Sequence, residues 1–270
     1  MPELPEVETT RRGIAPAIEH EAISAVIVRN PSLRWPVPPD LAERSVGKRV
    51  QAVTRRGKYL LLDLGDGFLI LHLGMSGSLR VVAADSPAEK HDHVDLVFGK
   101  QALRLRDPRR FGALLWQPGI ANVHPLLASL GPEPLGSDFT PEILFQSLQR
   151  RHCAVKIAIM DSKLVVGVGN IYASESLFRA GILPLRAASS VRLAECMDLH
   201  AAIRQTLQAA IEAGGSTLRD FVDSSGKPGY FQQQYFVYDR AEQPCLCCGS
   251  PIRSSRLGQR STYWCINCQH

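Results

Sequence analysis

The chain has 270 residues, of which 45% are apolar, and its 31 lysines and arginines exceed its 26 aspartates and glutamates by a net charge of +5. This length predicts one large domain or two smaller ones, and the apolar fraction suffices for a buried core. The longest apolar run is interrupted by aspartate, glycine and histidine, which excludes a typical membrane span.

The amino terminus is acidic and lacks the apolar stretch of a secretory signal, so we expect a cytoplasmic protein. In that compartment the seven cysteines are expected to be metal ligands or free thiols rather than disulfides. The mild basicity, with a pI near 8.9, is compatible with a polyanionic partner and equally with an ordinary basic protein.

The first predicted element is a short helix in PEVETTRRGIAPAI, where Pro5 suits the first helical position and Glu6 the positive end of the helix dipole. Pro2 and Glu3 stand directly before it. Once the initiator methionine is removed, Pro2 carries a secondary amine with a reference pKa of about 8. This amine is either an accident of the start codon or a nucleophile for an electrophilic carbon, with Glu3 and Glu6 as neighbouring acids.

Residues 22–116 predict a series of short antiparallel strands in a sandwich or a barrel, because apolar runs and tight turns alternate at intervals of about ten residues. The predicted strands lie in ISAVIVRN, KRVQAVTRR, YLLLDL, FLILHLG, GSLRVVA, HVDLVFG, QALRLRD and GALLWQP.

Three turns of this region carry candidate functional residues. In DPRRFG, Arg109 and Arg110 precede Phe111, a combination that fits phosphate neutralisation and insertion into a base stack; the alternative is a surface turn with the phenyl ring folded under. Met75 in LGMSG is either a core residue or an exposed wedge. Lys58 opens an apolar run, where most lysines extend their charge to solvent.

Residues 131–139 are rich in proline and glycine and predict a linker, after which the pattern becomes helical. Thr140 predicts a helix N-cap, and another helix begins at Asn170 or just after it. The longest helix is expected to begin with Ser190 as its cap and to close at Gly214.

The segment KLVVGVGNIYASES contains a glycine-rich turn that leads into the helix of Asn170. Free backbone N–H groups at a helix start form an anion site suited to phosphate. The lysine of a Walker loop does not follow the glycines. The alternative interpretation is a simple tight turn.

The strongest local motif is in the last 36 residues, where Cys245-x2-Cys248 and Cys265-x2-Cys268 are separated by sixteen residues. This spacing predicts a four-cysteine zinc site. So short a segment buries too little core to fold alone, so the metal is expected to hold it together.

Three cysteines lie outside this set. Cys247 falls inside the first pair, and a pairing of Cys245 with Cys247 is the alternative to the x2 spacing. Cys153 and Cys196 are expected to be buried helix residues.

Three arginines, Arg253, Arg256 and Arg260, lie between the two cysteine pairs on a predicted hairpin. A basic loop of this kind is either solvated or a phosphate clamp. On a zinc hairpin we favour contact with nucleic acid.

Taken in order, these motifs make the chain resemble the formamidopyrimidine-DNA glycosylase family over essentially its whole length. The motifs are PELPEVETTRRG, RRGKYLL, HLGMSGSLR, KHDHVDLVF, DPRRFG, LGPEPL, KLVVGVGNIYASESLF, GKPGYF and the four-cysteine tail. The resemblance implies an α+β multidomain protein. Its parts are an N-terminal antiparallel β-sandwich with a flanking helix (1–134), a helix–two-turns–helix domain (135–234) and a zinc finger (235–270).

The resemblance also implies an activity. Enzymes of this family remove oxidised purines, chiefly 8-oxoguanine and formamidopyrimidines, from duplex DNA and then cleave the strand at the abasic site by β,δ-elimination. We expect a monomer with one structural Zn²⁺ that works on the bacterial nucleoid in the cytoplasm.

The resemblance implies roles for four catalytic residues. Pro2 resembles the nucleophile that attacks C1′ and forms the Schiff base, and Glu3 the acid that assists sugar-ring opening. Lys58 resembles the acid of β-elimination, which also contacts phosphate, and Arg260 the finger arginine assigned to δ-elimination.

Seven further residues match DNA-binding positions: His91, Arg110, Arg151, Asn170, Met75, Arg109 and Phe111. Met75, Arg109 and Phe111 match the triad that fills the gap left by the extruded base, with Arg109 facing the opposite cytosine. The loop at 217–230 matches the lid over that base. The departures are the extra thiol of Cys247 and an arginine at Arg151, where lysine is also common.

Two alternatives remain at the level of sequence. Endonuclease VIII-type enzymes share the Pro2-Glu3 start but act on oxidised pyrimidines, although LPEVETTRRG and GKPGYF resemble the purine type. A non-catalytic zinc-dependent DNA-binding protein is the second alternative, and the combination of Pro2, Glu3 and Lys58 argues against it.

Overall fold

The structure, a computed structural model, describes residues 2–215 and 235–270. Within them two compact units are found, one of residues 2–128 with 213–215 and one of residues 129–212 with 235–270. The domain boundaries given above stay a prediction. No helix among the described residues is long and apolar enough to cross a membrane.

The first unit contains the eight predicted strands, which are confirmed: β1 (Ala25–Val28), β2 (Ala52–Arg56), β3 (Tyr59–Asp63), β4 (Gly67–His72), β5 (Ser78–Ala83), β6 (Asp92–Phe98), β7 (Gln101–Arg106) and β8 (Ala113–Pro118). They form two antiparallel sheets with the strand orders β1-β6-β7-β5 and β2-β3-β4-β8. Its helices are α1 (Leu4–Ile18), α2 (Leu41–Ser45) and α3 (Pro125–Ala128).

One apolar core joins α1 to both sheets, which makes the unit a β-sandwich with a flanking helix. The core takes Ile14 and Ile18 from the helix and one residue in two from the strands, such as Leu60 and Leu62 of β3 or Leu103 and Leu105 of β7. Alternate residues of a strand point to one face, so the apolar alternation in the sequence selects the buried face.

The predicted amino-terminal helix is confirmed as α1, with Pro5 in its first turn. The Glu3 N–H donates to Glu6 Oε2 over 2.8 Å, one half of a capping box at the helix start. Pro2 therefore lies immediately before a capped helix whose first turn is buried.

The second unit consists of four helices and a hairpin: α4 (Pro141–Gln149), α5 (Val155–Ile159), α6 (Asn170–Arg179), α7 (Leu193–Glu212), β9 (Arg253–Leu257) and β10 (Arg260–Trp264). Thr140 caps α4 as predicted, because its Oγ1 accepts the Ile143 N–H over 3.3 Å. The prediction of a helix at Asn170 is also confirmed.

Two sequence-based predictions in this unit are wrong. Ser190 does not cap the longest helix, which begins at Leu193, because the Ser190 hydroxyl donates to the Ala187 carbonyl over 2.7 Å within a 3₁₀ turn. Cys153 is exposed and lies between α4 and α5, whereas Cys196 is buried in α7 as predicted.

A buried carboxylate on α6 fixes the start of the carboxyl-terminal segment. Glu175 is 4% exposed, and its two oxygens accept the N–H groups of Phe236, Val237 and Tyr238 over 2.9 to 3.0 Å. The Phe178 ring stacks on that of Phe236 at 5.3 Å between centroids. Three charge-assisted hydrogen bonds to one carboxylate hold this backbone against α6.

We expect Glu175→Gln to lower the free energy of unfolding by about 3 kcal/mol, because the amide cannot accept all three N–H groups and carries no charge. Urea unfolding monitored by circular dichroism measures the change. Glu142→Gln, in the first turn of α4, is the matched control and should change the free energy of unfolding by less than about 0.5 kcal/mol. Equal stability of the two variants would contradict this anchoring role.

Candidate functional site

The amino terminus lies in a buried position of the first unit. Pro2 is buried, and Glu3 is 3% exposed. The predicted nucleophile and acid are therefore adjacent at the start of α1 and screened from bulk water, where electrostatic effects on a reaction are larger than in solvent.

Glu8 links this helix to the turn that carries Lys58. Its carboxylate lies 3.3 Å from Arg55 Nε on β2, and Arg55 Nη1 donates to the Gly57 carbonyl over 2.8 Å. Gly57 has a φ of 57°, which a residue with a side chain rarely adopts. The chain of contacts from Glu8 through Arg55 to Gly57 fixes the turn between β2 and β3 relative to α1.

Arginines of its own helix also keep Glu8 ionised. Burial would raise the pKa of Glu8, but hydrogen bonds from Arg11 and Arg12 and the charge of Arg55 lower it to about 2. Arg11 also donates to the Val53 carbonyl over 3.3 Å, a second link from α1 to β2.

Lys58 lies in an electropositive region that includes His72 on β4. Burial lowers the pKa of His72 to about 4, and the charges of Lys58 and Arg34 add to this effect. The ring of Tyr59 is 4.8 Å from that of His72, and His72 Nδ1 accepts the Gly74 N–H over 3.0 Å. His72, which the sequence did not single out, is therefore a neutral acceptor that positions the turn of Met75.

The turns that carry Met75 and Phe111 are packed backbone against backbone. A methyl group on Gly74 would lie 2.5 Å from the Phe111 carbonyl carbon, and one on Gly112 would lie 2.7 Å from the His72 carbonyl oxygen. Only glycine fits at either position. The structure thus brings the two turns together, with Met75 partly exposed.

Asp107, completely buried, organises the second of these turns. Its Oδ2 accepts the Gly112 N–H over 2.7 Å, and its Oδ1 accepts the Arg109 N–H over 3.3 Å and lies 3.4 Å from Ser76 Oγ. One carboxylate therefore holds both turns. The residue type alone could have indicated it, since aspartate before a Pro-containing turn often accepts backbone N–H groups.

The side chains at the tip of this turn point outward. Phe111 is 43% exposed, and the Arg109 guanidinium lies 5.1 Å from the centre of its ring. Arg110 is exposed with a φ of 56°. The alternative of a phenyl ring folded under the turn does not hold.

His91, partly exposed, lies beside the same turn. Its carbonyl accepts the Asp107 N–H over 3.0 Å, and its ring meets that of His93 edge-on at 6.4 Å. His93 Nε2 is 2.8 Å from the Asp107 carbonyl oxygen. These contacts place His91 and the tip residues on connected turns of the first unit.

In the second unit, Asn170 begins α6 and its Oδ1 is buried without a hydrogen-bond partner among the described residues. A buried amide oxygen without a donor is unfavourable, so water or another hydrogen-bond donor is expected there. Arg151, by contrast, forms an ion pair with Asp161 at 2.8 Å. A phosphate at Arg151 would share it with that carboxylate.

The four predicted metal ligands lie together. The sulfur atoms of Cys245, Cys248, Cys265 and Cys268 are all within 4.8 Å of one another. The Cys245–Cys268 and Cys248–Cys265 separations are 3.9 and 3.4 Å. A tetrahedral zinc with Zn–S bonds of about 2.3 Å needs sulfur separations of about 3.8 Å. The group fits zinc, and the x2 spacing holds rather than a pairing with Cys247.

Arg260 is positioned by a buried lysine that the sequence did not reveal. Arg260 opens β10 after a two-residue turn in which Gly258 and Gln259 have φ values of 53° and 62°. Lys156 on α5 is 0% exposed, and its Nζ donates to the Ser261 carbonyl and to a neighbouring hydroxyl, both over 2.9 Å. The exposed Arg260 side chain thus projects from a hairpin that is fixed to α5.

The remaining predicted region, the lid at 217–230, lies outside the described residues. The other hairpin arginines, Arg253 and Arg256, are exposed like Arg260.

Comparison with known proteins identifies the family. Its N-terminal domain profile, "Formamidopyrimidine-DNA glycosylase N-terminal domain", matches residues 1–114, and the "Formamidopyrimidine-DNA glycosylase H2TH domain" profile matches residues 130–222. The chain belongs to the formamidopyrimidine-DNA glycosylase family.

Individual glycosylases agree with this assignment. The formamidopyrimidine-DNA glycosylase of Methylococcus capsulatus is 60% identical over 270 residues, which cover 100% of both chains. The MutM (Fpg) protein of Thermus thermophilus superposes with a TM-score of 0.90 at 39% identity, over 99% of this chain and 98% of that one. Lactococcus lactis Fpg, bound to DNA that contains an abasic site, gives 0.91 at 33% identity over 99% of each chain.

We expect Lys58→Met to raise the pKa of His72 from about 4, because one of the positive charges that disfavour the imidazolium is removed. The folded-state pKa lies below the ordinary 6.5. The stability contributed by a neutral His72 is therefore complete above pH 6.5 and is lost as the pH falls towards 4. NMR titration of the His72 ring protons measures the shift. Lys100→Met, on the β6–β7 turn, is the control, and an equal shift in both variants would contradict the placement.

Proposed function

We propose that this protein is a bifunctional DNA glycosylase and AP lyase that excises oxidised purines, 8-oxoguanine and formamidopyrimidines, from duplex DNA. The main support is the connection from the buried start of α1, through Glu8 and Arg55, to the turn of Lys58. This connection holds an amine, a carboxylic acid and an ammonium group on rigid elements of one unit, as covalent catalysis on a sugar requires.

The first chemical step is displacement of the damaged base. The Pro2 nitrogen forms a bond to C1′ while the C1′–N9 bond breaks, and the base leaves with the bonding electrons and takes up a proton. Glu3 then protonates O4′ as the sugar ring opens, which leaves an iminium between Pro2 and C1′.

Strand cleavage follows from the iminium. Loss of a C2′ proton expels the 3′ phosphate by β-elimination, and a second elimination expels the 5′ phosphate. Lys58 acts as the acid of the first elimination and as a phosphate contact, and Arg260 grips phosphate during the second. Water hydrolyses the remaining Schiff base and frees Pro2.

The base must leave the stack before C1′ can be attacked, at a cost of a few kcal/mol. Met75, Arg109 and Phe111 fill the gap, and Arg109 faces the opposite cytosine. Support comes from the exposed phenyl ring and from the backbone contacts that lock the two turns. Insertion of these side chains compensates in part for the lost stacking.

Phosphate contacts supply the remaining affinity. We assign these contacts to His91 and Arg110 in the first unit and to Arg151 and Asn170 in the second, where the positive end of the α6 dipole at Asn170 favours an anion. The four cysteines hold one structural Zn²⁺, which fixes the finger that carries Arg260. We further propose that the protein acts as a monomer on the bacterial nucleoid in the cytoplasm. Its proposed domains are residues 1–134, 135–234 and 235–270.

Borohydride trapping tests the function. Reduction of the iminium should join the protein covalently to a duplex that carries 8-oxoguanine, and peptide mass analysis should place the adduct on Pro2. An adduct that forms only with oxidised pyrimidines would support an endonuclease VIII-type enzyme instead. No adduct on any lesion would support a non-catalytic DNA-binding protein.

We expect Pro2→Gly to reduce strand cleavage by about 100-fold or more, because the primary amine lacks the ring that orients the nucleophile. Affinity for a duplex with a stable abasic-site analogue should stay within about twofold, since Pro2 contributes little to phosphate binding. Single-turnover cleavage and a gel shift measure the two quantities. Unchanged cleavage would remove Pro2 from the mechanism.

We expect zinc removal by a strong chelator to disorder the finger and to abolish DNA binding, because the segment has too small an apolar core to fold without the metal. Metal analysis, NMR and a gel shift measure the loss, and added zinc should restore it. Cys247→Ser is the matched control and should retain one zinc per chain, whereas Cys248→Ser should not. Normal DNA binding by the stripped protein would contradict the role of the finger.

A further inference from the structure

A cavity of about 250 Å³ lies in the first unit beside the turn of Arg109. It is lined by Ser76, Ser78, Arg80, Arg106, Pro108 and Arg109. In the β5–β7 pairing, Ser78 stands opposite Arg106. Because residues two apart on a strand share a face, Arg80 lies on the same face as Ser78. The strand register thus directs two arginines and a serine towards one opening.

Two of the three guanidinium groups lack a carboxylate partner within the described part of the chain. Arg80 Nε is buried and has no hydrogen-bond partner among the described residues. The Arg109 guanidinium forms no ion pair within the same residues and lies 5.1 Å from the centre of the Phe111 ring. A buried guanidinium N–H without an acceptor is unfavourable, and an anion would satisfy it.

The carboxylates nearest the cavity pair with Arg106 and Arg104. Glu89 pairs with Arg106, and Asp92 lies 3.6 Å from Arg106 and 3.7 Å from Arg104. The hydrogen bond from Arg106 is the main cause that lowers the pKa of Glu89, and the charge of Arg80 adds to it. No carboxylate lines the cavity among the described residues, and no ion pair within them neutralises Arg80 or Arg109.

The donors around the opening suit a tetrahedral oxyanion. Guanidinium groups donate in a planar fork that matches phosphate oxygens, and the hydroxyl of Ser78 adds a single donor. Ser76 is already fixed near Asp107 at 3.4 Å, so its position is set before any ligand arrives.

We propose that this cavity binds a phosphate of the DNA backbone, in the strand that Arg109 faces; the proposal rests on the proposed function. Arg109 is common to the cavity and to the group of side chains that enters the stack. Successive phosphates of one strand are spaced by about 3.4 Å along the helix axis. A side chain shared between the stack and the cavity therefore brings the backbone within one or two nucleotides of Arg80.

The test measures the salt dependence of binding to a duplex with an uncleavable abasic-site analogue. Arg80→Gln should weaken binding on the order of tenfold at low salt and reduce the slope of log K against log salt by about 0.9, the contribution of one phosphate contact. Arg80→Lys should restore most of the slope, and Arg44→Gln, which removes a charge paired with Asp40 on α2, should change neither quantity. Single-turnover cleavage at saturating enzyme should be unchanged in Arg44→Gln.

A second arm locates the phosphate. Duplexes with single neutral methylphosphonates opposite the lesion should show one position at which wild-type binding weakens and Arg80→Gln causes no further loss. If the affinity and slope of Arg80→Gln equal those of the wild type, the proposal is overturned. Weaker binding with an unchanged slope, in both Arg80→Gln and Arg80→Lys, would overturn it too, since that pattern indicates a packing role.

A third arm distinguishes a small anion from DNA. Inorganic phosphate is titrated into the wild-type protein at constant ionic strength while the arginine side-chain N–H signals are followed by NMR. Shifts at Arg80 with submillimolar affinity, combined with an unchanged DNA salt slope in Arg80→Gln, would assign the cavity to free phosphate and overturn the DNA proposal. The salt dependence of DNA binding can be measured without catalysis. If the wild type cleaves no lesion, the proposed function is refuted, but the salt dependence still tests the phosphate site.

Discussion

The ion pair between Glu8 and Arg55 is the interaction on which the amino-terminal site depends. A helix at the end of a chain tends to fray, and Pro2 and Glu3 precede its first turn. Glu8 joins that helix to β2, and Arg55 carries the connection to Gly57, next to Lys58. Since the carboxylate is ionised well below neutral pH, the connection persists across the physiological range.

Buried carboxylates also organise two other parts of the molecule. Asp107 accepts N–H groups from the turn of Phe111, and Glu175 accepts three from the segment before the finger. Each is a buried carboxylate whose charge is satisfied by backbone donors rather than by a distant lysine. Buried charges are tolerated when they are hydrogen-bonded in this way, and they give irregular backbone a single conformation.

Local signals predicted most of the fold, because they depend on neighbours in sequence. The strands followed from apolar alternation, the cap at Thr140 from residue type, and the four-cysteine cluster from cysteine spacing. The prediction that Ser190 caps the longest helix was wrong because its hydroxyl donates to a carbonyl three residues earlier. Glu175 and Lys156 were missed because their partners lie 61 and 105 residues away, and a single sequence carries no pairing signal over such distances.

The close contact of Gly74 with the Phe111 backbone has a consequence for how the protein would travel along a duplex. Two turns that admit no extra methyl group have already lost their conformational freedom during folding. Turns that are already rigid lose little further entropy when their side chains contact a base pair. If these side chains enter the base stack as proposed, the strength of the local stacking would govern each insertion, and a weakened base pair would open first. Discrimination between sound and damaged DNA would begin in the mechanics of the double helix, before any base reaches the pocket where bonds are broken.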